Sequence, residues 1–167
     1  MKVLDRIRRA THEMKTTIEM FLCLARETDD GLDDEQFMVM PMVNQAVEQQ
    51  RHLLNGKHIH VDIDAQADPS VVGHPQAFSI AVNNLVRNAF EHAFEGQGAV
   101  TIAITDHDLL IVNKMSNNAD ERYTPTDTPS SHGYGLGLGI VERLCERNGW
   151  SFSLNIEETR VSARLAW

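Results

Sequence analysis

The sequence predicts an α+β fold, a mixed, largely antiparallel sheet with helices, preceded by a single long helix. Three observations carry that prediction. Residues 3 to 26 place apolar side chains three and four apart, and residues 75 to 94 repeat the helical pattern more strongly. The short alternating stretches around the second helix follow one another as neighbours, as antiparallel pairs do, instead of alternating strictly with helices.

In the first helix Leu4, Ile7, Thr11, Met14, Ile18, Phe21 and Ala25 form a heptad seam with Thr11 as its one polar member. That spacing suits a helix that pairs with others, and equally an amphipathic helix packed on its own domain. TDDGLDD, residues 28 to 34, breaks the pattern as a linker or turn. Val39 to Leu54 is predicted helical, with Pro41 allowed in the first turn. Lys57 to Asp64 alternates as a strand with Ile59, Val61 and Ile63 on one face. Asp68-Pro69 and His74-Pro75 mark a loop and the start of the helix over 75–94. Val100–Ile104 and Leu109–Val112 make a hairpin around TDHD. Asn113 to His132 is polar, contains Pro125 and Pro129, and reads as a functional lid. A glycine stretch leads into a helix from near Leu138 to about Arg147, and Ser151–Ile156 and Val161–Trp167 close the chain as strands.

Composition narrows the function classes. The chain has 167 residues, 42% apolar and 23% charged, enough for one domain with a sizeable core. No apolar run approaches the ~20 residues of a membrane span. MKVLDRIRRATHEMK is too charged for a signal-peptide core. Cys23 and Cys145 lie far apart within helical patterns, which points to reduced structural thiols and a cytosolic setting. A formal net charge of −9 argues against a nucleic-acid partner while leaving room for one anionic ligand held by local groups.

The candidate for that role is GYGLGLGIVERL, residues 133 to 144. No lysine follows the glycines, as a Walker loop requires. The third-glycine position of a dinucleotide fingerprint is Leu138 or Glu142. The stretch still suits an anion, because glycines bare their backbone N–H groups and a helix N-terminus adds partial positive charge. It suits a flexible hinge before an ordinary helix equally well.

AVNNLVRNAFEHA, residues 81 to 93, is its natural companion. Phe78, Val82, Leu85, Ala89 and Ala93 form the apolar stripe, while Asn84, Asn88 and His92 repeat every four residues along its flank. Asparagine is a poor helix-interior residue, so two of them one turn apart need a reason. The amide oxygen of Asn88 is a hard, neutral ligand suited to Mg²⁺ beside phosphates. Buried polar contacts within the fold would account for the amides as well.

Asn84-Leu-Val-Arg-Asn88-Ala resembles the N box of histidine kinases, and Gly135-Leu-Gly-Leu-Gly-Ile-Val141 resembles their second glycine box. The resemblance runs from about Met38 to Trp167. It implies the Bergerat-type ATP-binding sandwich, with helices covering one face of the sheet. By that resemblance Asn88 would ligate Mg²⁺, and Asn84 and His92 would support the ATP site. Gly133 and Gly135 would be the hinge of the lid, and Gly135, Leu136, Gly137, Leu138 and Gly139 would approach the phosphates. Most relatives carry Asp-x-Gly-x-Gly between the boxes; here Asn113-Lys-Met-Ser stands instead, so Asn113 would meet the adenine edge and weakened affinity is expected.

Thr11-His-Glu-Met-Lys-Thr16 resembles the phospho-accepting H box, but only Thr17 to Glu27 remain before the linker, too few for a turn and a returning helix. Leu22-x-Leu-Ala-Arg26 instead resembles the end of the second dimerisation helix, which makes His12 ordinary surface. The implied organisation is residues 1–27 as that second helix, 28–37 as linker and 38–167 as catalytic domain. Such a fragment would bind Mg·ATP and phosphorylate a histidine on a separate dimerisation helix. Its expected partners are that helix, a response regulator and a second copy in the full-length homodimer. It would be the cytoplasmic part of an inner-membrane sensor, reaching the membrane only through an upstream segment. Two alternatives are a regulatory module that has lost useful nucleotide binding and a serine kinase of the anti-sigma-factor type.

Overall fold

The computed structural model describes residues 2–27, 34–93, 99–114 and 134–167. The elements run α1 (Lys2–Glu27), β1 (Glu35–Met38), α2 (Val39–Gln50), β2 (His60–Ala65), β3 (Ser70–Gly73), α3 (Pro75–His92), β4 (Ala99–Ile104), β5 (Asp108–Lys114), α4 (Tyr134–Asn148), β6 (Ser151–Glu157) and β7 (Arg160–Ala166). A single 3₁₀ turn, Arg51–Leu54, extends α2. Of the expected linker over 28–37 and lid over 113–132, residues 28–33 and 115–132 lie outside the described residues.

The main sheet has the order β2-β4-β5-β7-β6, with β2 parallel to β4 and every other pair antiparallel. One face is apolar: Val100, Ile102 and Ile104 of β4, Leu109 and Ile111 of β5, and Ala163 and Leu165 of β7 are buried in one core with α2, α3 and α4, and Val161 of β7 is buried on the same face. The α+β class is therefore as expected, a mixed and largely antiparallel sheet covered by helices on one face. Register aligns these residues across the strands, so that Ile104, Leu109 and Leu165 form one row and Ile102, Ile111 and Ala163 the next. The third row runs Val100, Asn113, Val161, which puts a single amide on the buried face.

A second, two-stranded ladder joins β1 to β3, pairing Phe37 with Val71. The linker expected over 28–37 thus overlaps a strand at 35–38. This strand carries Phe37 into an aromatic group centred on Phe78, whose ring centroid lies 5.1 Å from that of Phe37, 5.3 Å from Trp150 and 5.9 Å from Trp167. Gly73 ends β3 at φ +155°, and a Cβ there would stand 2.5 Å from Trp150 Cζ2, so this packing requires glycine.

The TDHD hairpin forms as expected. Thr105 Oγ1 donates to Asp108 Oδ1 at 2.6 Å, and Arg164 Nε meets Asp108 Oδ2 at 2.6 Å. The Thr105 hydrogen bond and then Arg164 hold the Asp108 carboxyl below its ordinary 3.8, against the opposing effect of partial burial. A depressed native pKa means the contribution is complete above 3.8 and fades as pH falls through the lowered value. Asp108→Asn is expected to flatten the acid limb of melting temperature below about pH 5, modestly because Arg164 is exposed. An acid limb as steep as the parent's would remove Asp108 from the account. Cys145 is buried in the core, and burial followed by the Glu142 charge pushes its thiol up to about 12, which makes it inert at neutral pH.

Helix α1 presents Leu4, Ile7, Met14, Ile18 and Phe21 more than half exposed. The apolar seam read from the sequence is a real and uncovered stripe. Among the described residues no helix is long and apolar enough to cross a membrane.

Candidate functional site

Helix α3 begins at a defined cap. His74 holds an extended conformation, its Nδ1 accepts from Ala77 N at 3.2 Å, and Pro75 supplies a first-turn φ suited to the helix. The expected apolar stripe, Phe78, Val82, Leu85, Ala89 and Ala93, is buried. At the other end Lys57 Nζ donates to the carbonyls of Phe90 and Glu91 at 3.3 and 3.2 Å, capping the helix where its dipole is negative. The helix is thus fixed at both ends, and the asparagines lie on its middle turns.

Asn84 is buried and its Nδ2 donates to Ile80 O at 2.8 Å, which fixes the amide with its oxygen facing away from the helix. Asn88 is half-buried, and its Nδ2 has no hydrogen-bond partner among the described residues. His92 follows at the last turn, half-buried and outside the cavity described next.

Between α3, the sheet and the start of α4 lies a small, mostly apolar cavity. Its two polar lining residues are Asn88 and Asn113, one from the helix and one from the end of β5. Leu85, Ala89, Ile111 and Leu138 supply apolar walls, closed by inward side chains of β6 and β7. Three residues named from the sequence, Asn88, Asn113 and Leu138, therefore share one cavity. The other apolar walls were not among the expected site residues. Strand parity could have found Ile111, because it lies two residues before Asn113 on the same face.

The glycine stretch differs from its expected form. Helix α4 starts at Tyr134, not near Leu138, and Gly135, Gly137 and Gly139 are helical. The positive-φ glycines among the described residues are Gly56, Gly73 and Gly149, so these three do not open the backbone by left-handed geometry. The stripe formed by Ile140, Val141, Leu144 and Cys145 packs into the core and carries the helix back through the glycines. What glycine supplies here is a missing side chain: a Cβ on Gly137 would lie 3.3 Å from Asn84 Oδ1, whereas one on Gly139 would meet nothing within 4 Å. Gly139→Ala is accordingly expected to stabilise the fold by about 0.5–1 kcal/mol. Gly137→Ala should gain less because it crowds Asn84, and paired melting curves check the difference. Equal gains would mean Asn84 does not constrain Gly137. Gly133 lies outside the described residues, and the side chain of Leu136 is not described.

The arrangement pairs two site-building helices with the same sheet. No family model matches the chain. Among curated proteins it is 30% identical over 109 residues to the sensor-type histidine kinase PrrB of Mycobacterium tuberculosis, covering 58% of this chain and 24% of the kinase. It is 34% identical over 90 residues to the probable sensor kinase SilS of Salmonella typhimurium, covering 46% of this chain and 18% of that protein. Its homologues are sensor histidine kinases. The chain spans less than a third of the length of these kinases. Among solved structures, the cytoplasmic segment of histidine kinase QseC superposes with a TM-score of 0.64 at 21% identity, covering 98% of this chain and 93% of that one. A nucleotide-free catalytic domain of histidine kinase ThkA gives 0.64 at 18% identity, covering 81% and 95%. The fold is that of a histidine-kinase catalytic domain, as the two boxes imply.

Proposed function

We propose that this chain is the ATP-binding part of a two-component sensor kinase, which binds Mg·ATP and directs its γ-phosphoryl group to a histidine on a separate dimerisation helix. The convergence of Asn88, Asn113 and the start of α4 on one apolar cavity carries this reading, and the kinase homologues support it. The residues fit the nucleotide. Apolar walls suit a flat base, Asn113 offers its edge an amide, and the first turns of α4 offer N–H groups and a positive dipole end to phosphates.

They fit a cation as well. The buried Nδ2 of Asn88 leaves Oδ1 as the end able to act as a hard ligand. Among the described residues no group of three or more His, Cys, Asp or Glu side chains is gathered for a metal, so phosphates and water would complete the shell. When bound, Mg²⁺ would neutralise phosphate charge. The chain's own residues position: Asn84 packs closely against α4 at Gly137, Leu85 and Ile111 exclude water, and the helix dipole stabilises charge where it accumulates.

The exposed seam of α1 supports pairing with helices of the same stem, first the histidine-bearing helix and then a second copy in the full-length protein. A response regulator and a cytoplasmic position in a membrane sensor belong to the same proposal. Incubating the chain with labelled Mg·ATP and a two-helix, histidine-bearing domain tests it. Acid-labile, base-stable phosphate on that domain is expected; acid-stable phosphoserine, or no transfer, would overturn it.

A further inference from the structure

We propose that the cavity takes 6-oxopurine nucleotides nearly as well as 6-aminopurine nucleotides, because Asn113 meets the base with an amide that nothing holds in one orientation. The inference rests on the nucleotide reading above and concerns which base that site accepts. Asn113 is 3% exposed and stands in a sheet row whose neighbours, Val100 and Val161, are apolar. Its Nδ2 is buried without a hydrogen-bond partner among the described residues, and the residue lines the cavity.

Other asparagines of the fold are held differently. Asn83, Asn84 and Asn148 each donate Nδ2 to the carbonyl one helical turn back, Ser79 O at 3.0 Å, Ile80 O at 2.8 Å and Leu144 O at 2.8 Å. Each of those bonds decides which end of the amide faces outward. At Asn113 a half-turn of the amide breaks no such bond to the described residues. A buried, unpaired donor is costly, so a ligand that satisfies both ends of the amide is favoured.

Both purine edges can do so. Against a 6-amino edge, Oδ1 accepts from the exocyclic amine and Nδ2 donates to the adjacent ring nitrogen. Against a 6-oxo edge the amide turns over: Nδ2 donates to the carbonyl, and Oδ1 accepts from the ring N–H. Two hydrogen bonds form either way. A carboxylate at this position would accept only, with nothing to give the carbonyl. The neutral, apolar walls suit either uncharged ring equally.

Adenosine and inosine triphosphates differ at this edge alone, so their dissociation constants with Mg²⁺, measured by calorimetry on the whole chain, test the proposal. The two constants are expected within about tenfold of each other, a difference no larger than about one net hydrogen bond. Asn113→Asp is expected to widen the ratio in favour of adenosine by at least about tenfold. A parent chain that holds adenosine triphosphate about 100-fold tighter, or more, would overturn the inference and leave the nucleotide site standing. An aspartate variant with an unchanged ratio would overturn it too. Absence of binding by either nucleotide at millimolar concentration would instead remove the nucleotide reading, and this inference with it. The comparison on the parent chain decides the matter whether or not the aspartate variant folds.

Discussion

Asn88→Ala is expected to lower Mg-dependent nucleotide binding and phosphotransfer by about 100-fold while leaving the melting temperature unchanged or slightly raised. The two effects separate because of how the side chain sits. Its Nδ2 makes no hydrogen bond to the described residues, so truncation there orphans no partner. Alanine is also the better helix former, by up to about 0.7 kcal/mol per residue. An amide kept for the fold would behave the other way, losing stability and binding together. Calorimetry with and without Mg²⁺, run beside a thermal melt, distinguishes the two. A variant that binds with the parent's Mg²⁺ dependence would end the assignment of Asn88 as a ligand.

Phe78→Ala carries the largest expected cost to the fold, about 3–5 kcal/mol. The side chain is fully buried and packs tilted or edge-on against Phe37, Trp150 and Trp167. Each of those rings comes from a different element, namely β1, the turn after α4 and the residue after β7. The surroundings therefore cannot close over the gap by moving one segment. Urea denaturation followed by tryptophan fluorescence measures it. A loss below about 2 kcal/mol would show that the group repacks around the smaller side chain.

The parts of this fold legible in the sequence were those with long or regular patterns. Helix α3 has 18 residues and a stripe repeated over many turns, so its face could be named residue by residue. Strand β5 alternates Leu109, Ile111, Asn113 inward, and its parity follows directly. The β1–β3 ladder was illegible because two four-residue strands contain too few periods to register. Alternation is also silent on direction, so the parallel pairing of β2 with β4 could not be read from Ile59, Val61 and Ile63. The start of α4 was misplaced because three glycines argue locally for a loop. The buried stripe from Ile140 to Cys145 outweighs that local preference once the core exists. Within the candidate site, Asn88, Asn113 and Leu138 were nameable from two motifs and one strand end, whereas the apolar walls arise from three-dimensional closure of the sheet.

Asn148 Oδ1, at the last residue of α4, accepts from His74 N, at the cap of α3, at 3.0 Å. Gly137, near the first residue of α4, faces Asn84 across a distance that glycine alone leaves comfortable. The two helices thus run against each other like the arms of forceps, riveted at one tip. Intrinsic helix propensity is lowest at the end of α4 away from the rivet, since each of its glycines costs about 1 kcal/mol. The Phe78–Trp150 ring contact lies beside that rivet, because Trp150 follows Asn148 by two residues and packs over Gly73, next to His74.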